Sequence, residues 1–108
     1  MAYKRSIVLS VTAATSQTIQ MPQKGTVLGV LMSVVTAAAG SWELSTSSTS
    51  QIATGSPDTG VKARLRIGAT AGMQNIYFPL NLPVNVLDNL YIHTTGAGNV
   101  GEITLFIG

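Results

Sequence analysis

Apolar and polar residues alternate along most of this chain, and no stretch has the three-to-four-residue spacing of an amphipathic helix. The alternation is clearest over residues 61–67, where four apolar residues alternate with three basic ones. The pattern predicts eight short strands, at residues 3–12, 18–21, 26–36, 41–46, 61–67, 75–80, 90–95 and 102–107. We therefore predict one all-β domain over residues 1–108, an antiparallel β-sandwich of the jelly-roll type.

The connections between these strands are predicted from their turn-forming residues. Residues 45–60 are rich in Ser, Thr and Gly and should form a long surface loop, which could hold a short edge strand at 51–54. Pro79 and Pro83 indicate a connection after the strand at 75–80. The glycines within residues 96–99 favour a closing hairpin between the last two strands.

Two segments carry more apolar side chains than one core needs. The strand at 26–36 is apolar on both faces, and in the last strand Phe106 lies on the face opposite Leu105 and Ile107. Apolar surface that a monomer leaves exposed commonly marks a protein–protein interface. The candidate interface residues on these two strands are Leu28, Val30, Met32 and Phe106.

The composition narrows the possible partners. Only 9% of the residues are charged, against about 25% in a typical soluble domain, while 45% are hydrophobic and the net charge is +2. Such a small positive charge does not favour nucleic acid as a partner. The absence of cysteine excludes disulfides and thiol catalysis. The uncharged residues 25–42 are rich in Val and Thr and are better explained as a buried strand than as a membrane span.

The basic side chains of residues 61–67 all project to one side of their strand. They are Lys62, Arg64 and Arg66. They indicate either a solvated strand face protected by charge or a contact with an acidic protein surface, and the sequence leaves both open.

Nothing in the sequence predicts catalysis or a cofactor. Residues 96–101 match G-x-G-x-x-G, but the segment that follows is strand-like, whereas dinucleotide binding needs a helix there. His93 is the only histidine; it should share a face with Tyr91 as a surface or interface residue. The four acidic residues have no metal-ligand spacing, and Trp42 is expected in the core beside Leu44. We expect a non-enzymatic protein without metal or cofactor.

A cysteine-free, charge-poor β-protein with a Ser/Thr loop at 45–50 and the segments Leu-Tyr-Ile-His-Thr-Thr (90–95) and Ile-Thr-Leu-Phe-Ile (103–107) resembles small jelly-roll structural proteins of bacteriophage virions. That resemblance to decoration, cement or vertex proteins implies a homo-oligomer on the particle surface that binds a major capsid or other virion protein and stabilises the lattice. It assigns no binding residues. The alternative is a lectin-like β-sandwich that binds carbohydrate or a receptor through loop polar groups and an exposed aromatic.

Overall fold

The computed structural model describes residues 5–12, 16–36, 39–48, 60–67, 74–95 and 100–108. These ranges contain eight strands, as the alternation predicts: β1 (Arg5–Val11), β2 (Ser16–Gln20), β3 (Gly25–Thr36), β4 (Gly40–Ser45), β5 (Val61–Ile67), β6 (Gln74–Val84), β7 (Asn89–Thr94) and β8 (Val100–Ile107). The all-β prediction is confirmed.

The strands form two antiparallel sheets of four strands each. Sheet A has the order β1-β8-β3-β6, and sheet B has the order β2-β7-β4-β5. Within them β1 pairs with β8, β2 with β7, β3 with β6 and β4 with β5, so the first half of the chain pairs with the second half in reverse order. This is the connectivity of a jelly roll, and the predicted sandwich is confirmed.

The core lies between the two sheets and takes every second side chain of most strands. Trp42 of β4 is fully buried there, as predicted. Val30 and Met32 of β3 are also fully buried, which corrects their assignment to a candidate interface. Because β3 is apolar on both faces, its sequence did not show which face the other sheet covers. The register places Val30 and Met32 opposite two core residues of β8, Leu105 and Ile103.

Gly101 of β8 allows a close approach both to the neighbouring strand β3 and to the opposite sheet. A Cβ at this position would overlap the carbonyl oxygen of Ser33 and lie 3.0 Å from Cη2 of Trp42. The last glycine of the G-x-G-x-x-G match is therefore a packing position within a strand. Residues 96–99, which carry the other glycines and the predicted hairpin turn, lie outside the described residues.

The predicted hairpin between the last two strands is wrong. β7 belongs to sheet B, where it pairs with β2 and β4, and β8 belongs to sheet A, where it pairs with β1 and β3. Glycine-rich residues permit a chain reversal, but they do not determine whether the next strand joins the same sheet or the opposite one. In this sandwich the connection crosses from one sheet to the other.

The connection predicted at Pro79 and Pro83 is also wrong, because β6 runs through both prolines to Val84. β6 is the edge strand of sheet A. A proline lacks the N–H that an inner strand must donate, but on an edge strand that N–H has no strand partner to lose. Pro79 lies opposite Gly29 and Pro83 opposite Thr26.

The predicted 45–60 loop corresponds to the connection between β4 and β5. Its two ends are described: the N–H of Thr46 donates to the carbonyl of Gly60 at 2.9 Å, which closes the connection at its base. The suggested edge strand at 51–54 lies outside the described residues.

Candidate protein-interaction site

The outer face of sheet A carries a group of apolar side chains that point away from the core. We call this group the apolar face; its members are Val8, Leu31, Tyr77, Pro79 and Phe106. Val8 is 55% exposed and Tyr77 43% exposed, while Leu31 and Phe106 are half-buried. They come from all four strands because alternate residues of each strand point outward.

The register brings these side chains next to one another. One row across the sheet runs from Val8 through Thr104 and Leu31 to Tyr77, with each residue opposite the next on the neighbouring strand. Directly opposed side chains lie about 4.5–5.5 Å apart at their Cβ atoms. The row therefore forms a continuous strip, interrupted only by the small Thr104.

The side chain of Tyr77 lies against the surface of the sheet, over the neighbouring strand. Its hydroxyl donates to the carbonyl of Leu28 at 3.3 Å, and its ring centroid is 6.0 Å from that of Phe106 with the planes tilted by 57°. The ring occupies the space above Gly29, where a Cβ would overlap the Tyr77 hydroxyl and lie 2.6 Å from Cε1. Gly29 thus allows two aromatic rings to cover the centre of the sheet.

Substitution of Gly29 by alanine should push the Tyr77 ring off the sheet. We expect a loss of about 1–2 kcal/mol in the free energy of unfolding, because the added methyl has no room while the ring stays in place. Urea unfolding followed by circular dichroism measures this loss. The same substitution in a Tyr77→Ala background should cost clearly less, since the ring is gone; an equal cost in both backgrounds would contradict the packing described here.

The surroundings of the apolar face are polar but nearly uncharged. Glu102 is the only charged residue at the outward positions of the sheet A strands within the described ranges. Ser6, Ser10, Ser33 and Asn75 occupy neighbouring outward positions. Low charge reduces the desolvation cost of covering this surface.

The predicted interface residues lie in three different settings. Phe106 points outward on β8, as the alternation predicts, and its contact with another molecule stays a prediction. Leu28 is half-buried at the point where the β3 register shifts between Val27 and Gly29. Val30 and Met32 face the core. Of the four, only Phe106 belongs to the apolar face.

The outer face of sheet B is polar, and its centre is buried. Glu43 of β4 is fully buried, and its Oε2 lies 2.7 Å from the guanidinium of Arg64 on β5, whose side chain is 19% exposed. Arg64 is therefore held by its own chain, which corrects the prediction of three equivalent basic side chains. Lys62 and Arg66 are the exposed members of that set.

His93 of β7 lies directly opposite Glu43 and is 1% exposed, so the prediction of a surface or interface histidine is wrong. Nε2 of His93 is 2.9 Å from the carbonyl oxygen of Ser47, and Nδ1 is 2.9 Å from Oγ of Ser16. A carbonyl only accepts, so Nε2 carries a proton and donates it to Ser47. The first of these contacts ties the turn after β4 to the ring.

This histidine connects separate strands of sheet B. It bonds to the start of β2 and to the turn after β4, and its ring stacks on Tyr91 with an angle of 4° and a centroid distance of 6.2 Å. Within the described ranges no group of three or more His, Cys, Asp or Glu side chains could hold a metal ion. Nor do those ranges contain a helix long and apolar enough to span a membrane.

Neither the buried ion pair of Glu43 nor the burial of His93 was predicted from the sequence. Their partners lie 21 and 46 residues away along the chain, and only the strand register brings them together.

The comparisons with known proteins add no assignment to this geometry. No protein-family description matches the chain, and a search of curated proteins finds no significant match.

Proposed function

We propose that this chain is a non-enzymatic structural protein of a virus particle that forms homo-oligomers and decorates or cements a capsid lattice. The observation that supports the proposal is the apolar face of sheet A, formed by outward side chains on all four strands. A jelly roll whose outer sheet face is apolar and almost free of charge is suited to burial between protein subunits.

The physical basis is the burial of apolar surface. Covering such surface contributes about 25 cal/mol per Å², and a standard interface buries roughly 800 Å² on each partner. The protein measures 38 × 27 × 20 Å, and the outer sheet faces are its broad sides. One broad side is large enough for such an interface, and the apolar face occupies the middle of it.

The opposite broad side would serve a different contact. Lys62 and Arg66 project from sheet B on exposed positions of β5. In the proposed assembly the apolar face is buried between copies, while these two cations meet acidic side chains of a capsid protein. Charged contacts of this kind orient the partners and increase the association rate more than they increase affinity.

The carbohydrate-binding alternative has less support. Trp42, the largest aromatic side chain, is fully buried and cannot stack on a sugar. Tyr77 is partly exposed, but its ring already covers Gly29 and its hydroxyl bonds to Leu28. Sugar stacking needs an open ring face together with free polar groups beside it.

A negative charge placed in the apolar face should weaken self-association. We expect Val8→Glu to raise the dissociation constant of the oligomer at least about 30-fold, because burying an unpaired carboxylate costs several kcal/mol. The matched control is Thr18→Glu, which adds the same charge at an exposed position on β2, the corresponding edge strand of sheet B. Sedimentation velocity over a range of concentrations measures both.

Equal association of the two variants and the native chain would remove the apolar face from the proposal. A native chain that stays monomeric at high concentration would remove self-association from the proposal.

The location on a particle is tested separately, by electron microscopy of particles that contain the chain. Density for the jelly roll on the capsid lattice is the expected result, and its absence there would overturn the proposed role.

A further inference from the structure

The connection between β6 and β7 is a tight turn with an unusual backbone. In this turn, which spans residues 85–88, the N–H of Asp88 donates to the carbonyl of Asn85 at 3.2 Å. Leu87 has a φ of 69°, in the left-handed region. That conformation normally selects Gly or Asn at the third position of such a turn, because a larger side chain is strained there.

Several hydrogen bonds hold the turn in this strained form. The N–H of Leu87 donates to the carbonyl of Met21 at 2.7 Å, and the N–H of Met21 donates to the carbonyl of Asp88 at 2.7 Å. A carboxylate oxygen of Asp88 accepts from the N–H of Asn85, also at 2.7 Å. The turn is therefore fastened both internally and to the end of β2.

The strain does not bring an apolar side chain into the core. Leu87 is 63% exposed, the highest value among the large exposed hydrophobic residues of the described ranges, and Val86 beside it is 55% exposed. Strained residues persist when the surrounding structure fixes them, and they cluster at binding sites. A rigid turn that presents two apolar side chains to solvent is a preformed docking element.

A cavity of about 240 Å³ lies next to this turn. Its walls include Leu82, Pro83 and Leu90, and Asn89 lies at its exposed side. The cavity is larger than a leucine side chain and is partly apolar. The same end of the protein therefore carries both a projecting leucine and a cavity that could receive one.

We propose that two copies of this chain associate through this end, with Leu87 of each copy inserted into the cavity beside the 85–88 turn of the other. A two-fold interface requires the projecting part and the receiving part to lie on one surface patch, and this patch has both. This proposal rests on the proposed function, a homo-oligomer, and adds a second contact through which its copies assemble.

The charges at this end support a copy of the chain as the occupant. Asp88 lines the cavity that would receive Leu87. Arg5 and Lys24 line a neighbouring cavity, and Lys24 belongs to the same β2–β3 connection that begins at Met21. Two antiparallel copies of a patch that carries both signs can pair acid with base, whereas a partner of one sign could not satisfy both.

The test uses Leu87→Asn in the Val8→Glu background, where contacts through the apolar face are disabled. Asn tolerates the left-handed conformation and removes the apolar side chain. We expect the Val8→Glu chain to form dimers and the double variant to dimerise at least about 100-fold more weakly, since two buried leucines are lost per dimer. Sedimentation equilibrium gives both dissociation constants.

Thermal unfolding below the dimer dissociation constant separates docking from a structural role. Because Asn relieves the strain at φ 69°, the midpoint of the Leu87→Asn monomer should rise by several degrees. If Leu87 instead stabilised its own chain, the midpoint would fall. A fall in the midpoint would overturn the docking role even if dimerisation were weaker.

The receiving cavity is tested from its exposed side. Asn89→Trp should fill the cavity and weaken dimerisation of the Val8→Glu chain as strongly as Leu87→Asn does. The control is Val35→Asn, at a position 57% exposed near the other end of β3, which should leave dimerisation unchanged. Full dimerisation of the Asn89→Trp chain would overturn the assignment of this cavity.

Two outcomes distinguish this proposal from the proposed function. A Val8→Glu chain that is monomeric at all concentrations would overturn the contact through the turn and leave the apolar face as the site of association. A native chain whose association is unaffected by Val8→Glu but abolished by Leu87→Asn would support the turn contact and remove the apolar face.

Discussion

The Gly101→Ala chain is expected to lose a large part of its stability. The added methyl would overlap the carbonyl oxygen of Ser33, which is backbone of a central strand, and would press on the fully buried Trp42. Ser33 can move only if the pairing between β3 and β8 is broken, and Trp42 can move only if the opposite sheet shifts. We expect a loss of at least about 3 kcal/mol, a large part of the 5–15 kcal/mol that stabilises an ordinary domain.

Urea unfolding monitored through the fluorescence of Trp42 measures this loss directly, because it is the only tryptophan. Gly25→Ala is the matched control. Its Cβ would lie 3.1 Å from the carbonyl oxygen of Gly108 and 3.2 Å from Cγ2 of Ile107, so a shift of a few tenths of an ångström is enough. We expect a loss below about 1 kcal/mol. Similar losses for the two variants would show that the close contacts of Gly101 with Ser33 and Trp42 do not require a glycine there.

Arg64→Met is expected to be the second most damaging substitution. Glu43 is fully buried, and its carboxylate would lose the guanidinium that lies 2.7 Å away. Removing one partner of a buried ion pair is typically destabilising by 3–5 kcal/mol, because the remaining buried charge loses its closest counter-ion. Because the Arg64 side chain is 19% exposed and the pair is partly solvated, we expect a loss of about 3 kcal/mol.

A double-mutant cycle with Glu43→Gln isolates the charge interaction. Gln keeps the size of the side chain and removes its charge, so the double variant should be more stable than Arg64→Met alone. Arg66→Met, an exposed position on the same side of β5, is the control and should change stability by less than about 0.5 kcal/mol. If Arg64→Met and Arg66→Met cost the same, the pair with Glu43 contributes nothing measurable.

The strands were predictable because sandwich strands with one buried face show the period of two directly. Alternation over residues 61–67 and 102–107 located β5 and β8 and placed Phe106 outside the core. The pairing of strands was not predictable in the same way. β7 and β8 are joined by a glycine-rich segment that suits a hairpin equally well, and only the completed sandwich shows that the chain changes sheets there.

The missed features of the site have one physical cause, which is that each depends on a neighbour far away in the chain. Pro79 is acceptable in a strand because β6 is an edge. The Nε2 atom of the buried His93 donates to the carbonyl of Ser47, 46 residues away in the chain. Leu87 has no sequence signal of its strained backbone, since a positive φ is usually marked by Gly or Asn. Local patterns carry no information on these distant partners.

The central position of β8 has a consequence for how the protein folds. β8 pairs with both β1 and β3, so sheet A cannot close until the residues up to Ile107 are available to it. Contacts between such distant parts of a chain form late. The chain loses the entropy of closing a long loop before these contacts contribute any favourable free energy. Val8 and Phe106, which come from opposite ends of the chain, become neighbours in one sheet only at that stage. In the proposed assembly, association of copies would therefore have to follow the folding of each copy, because an incompletely folded chain lacks the apolar face.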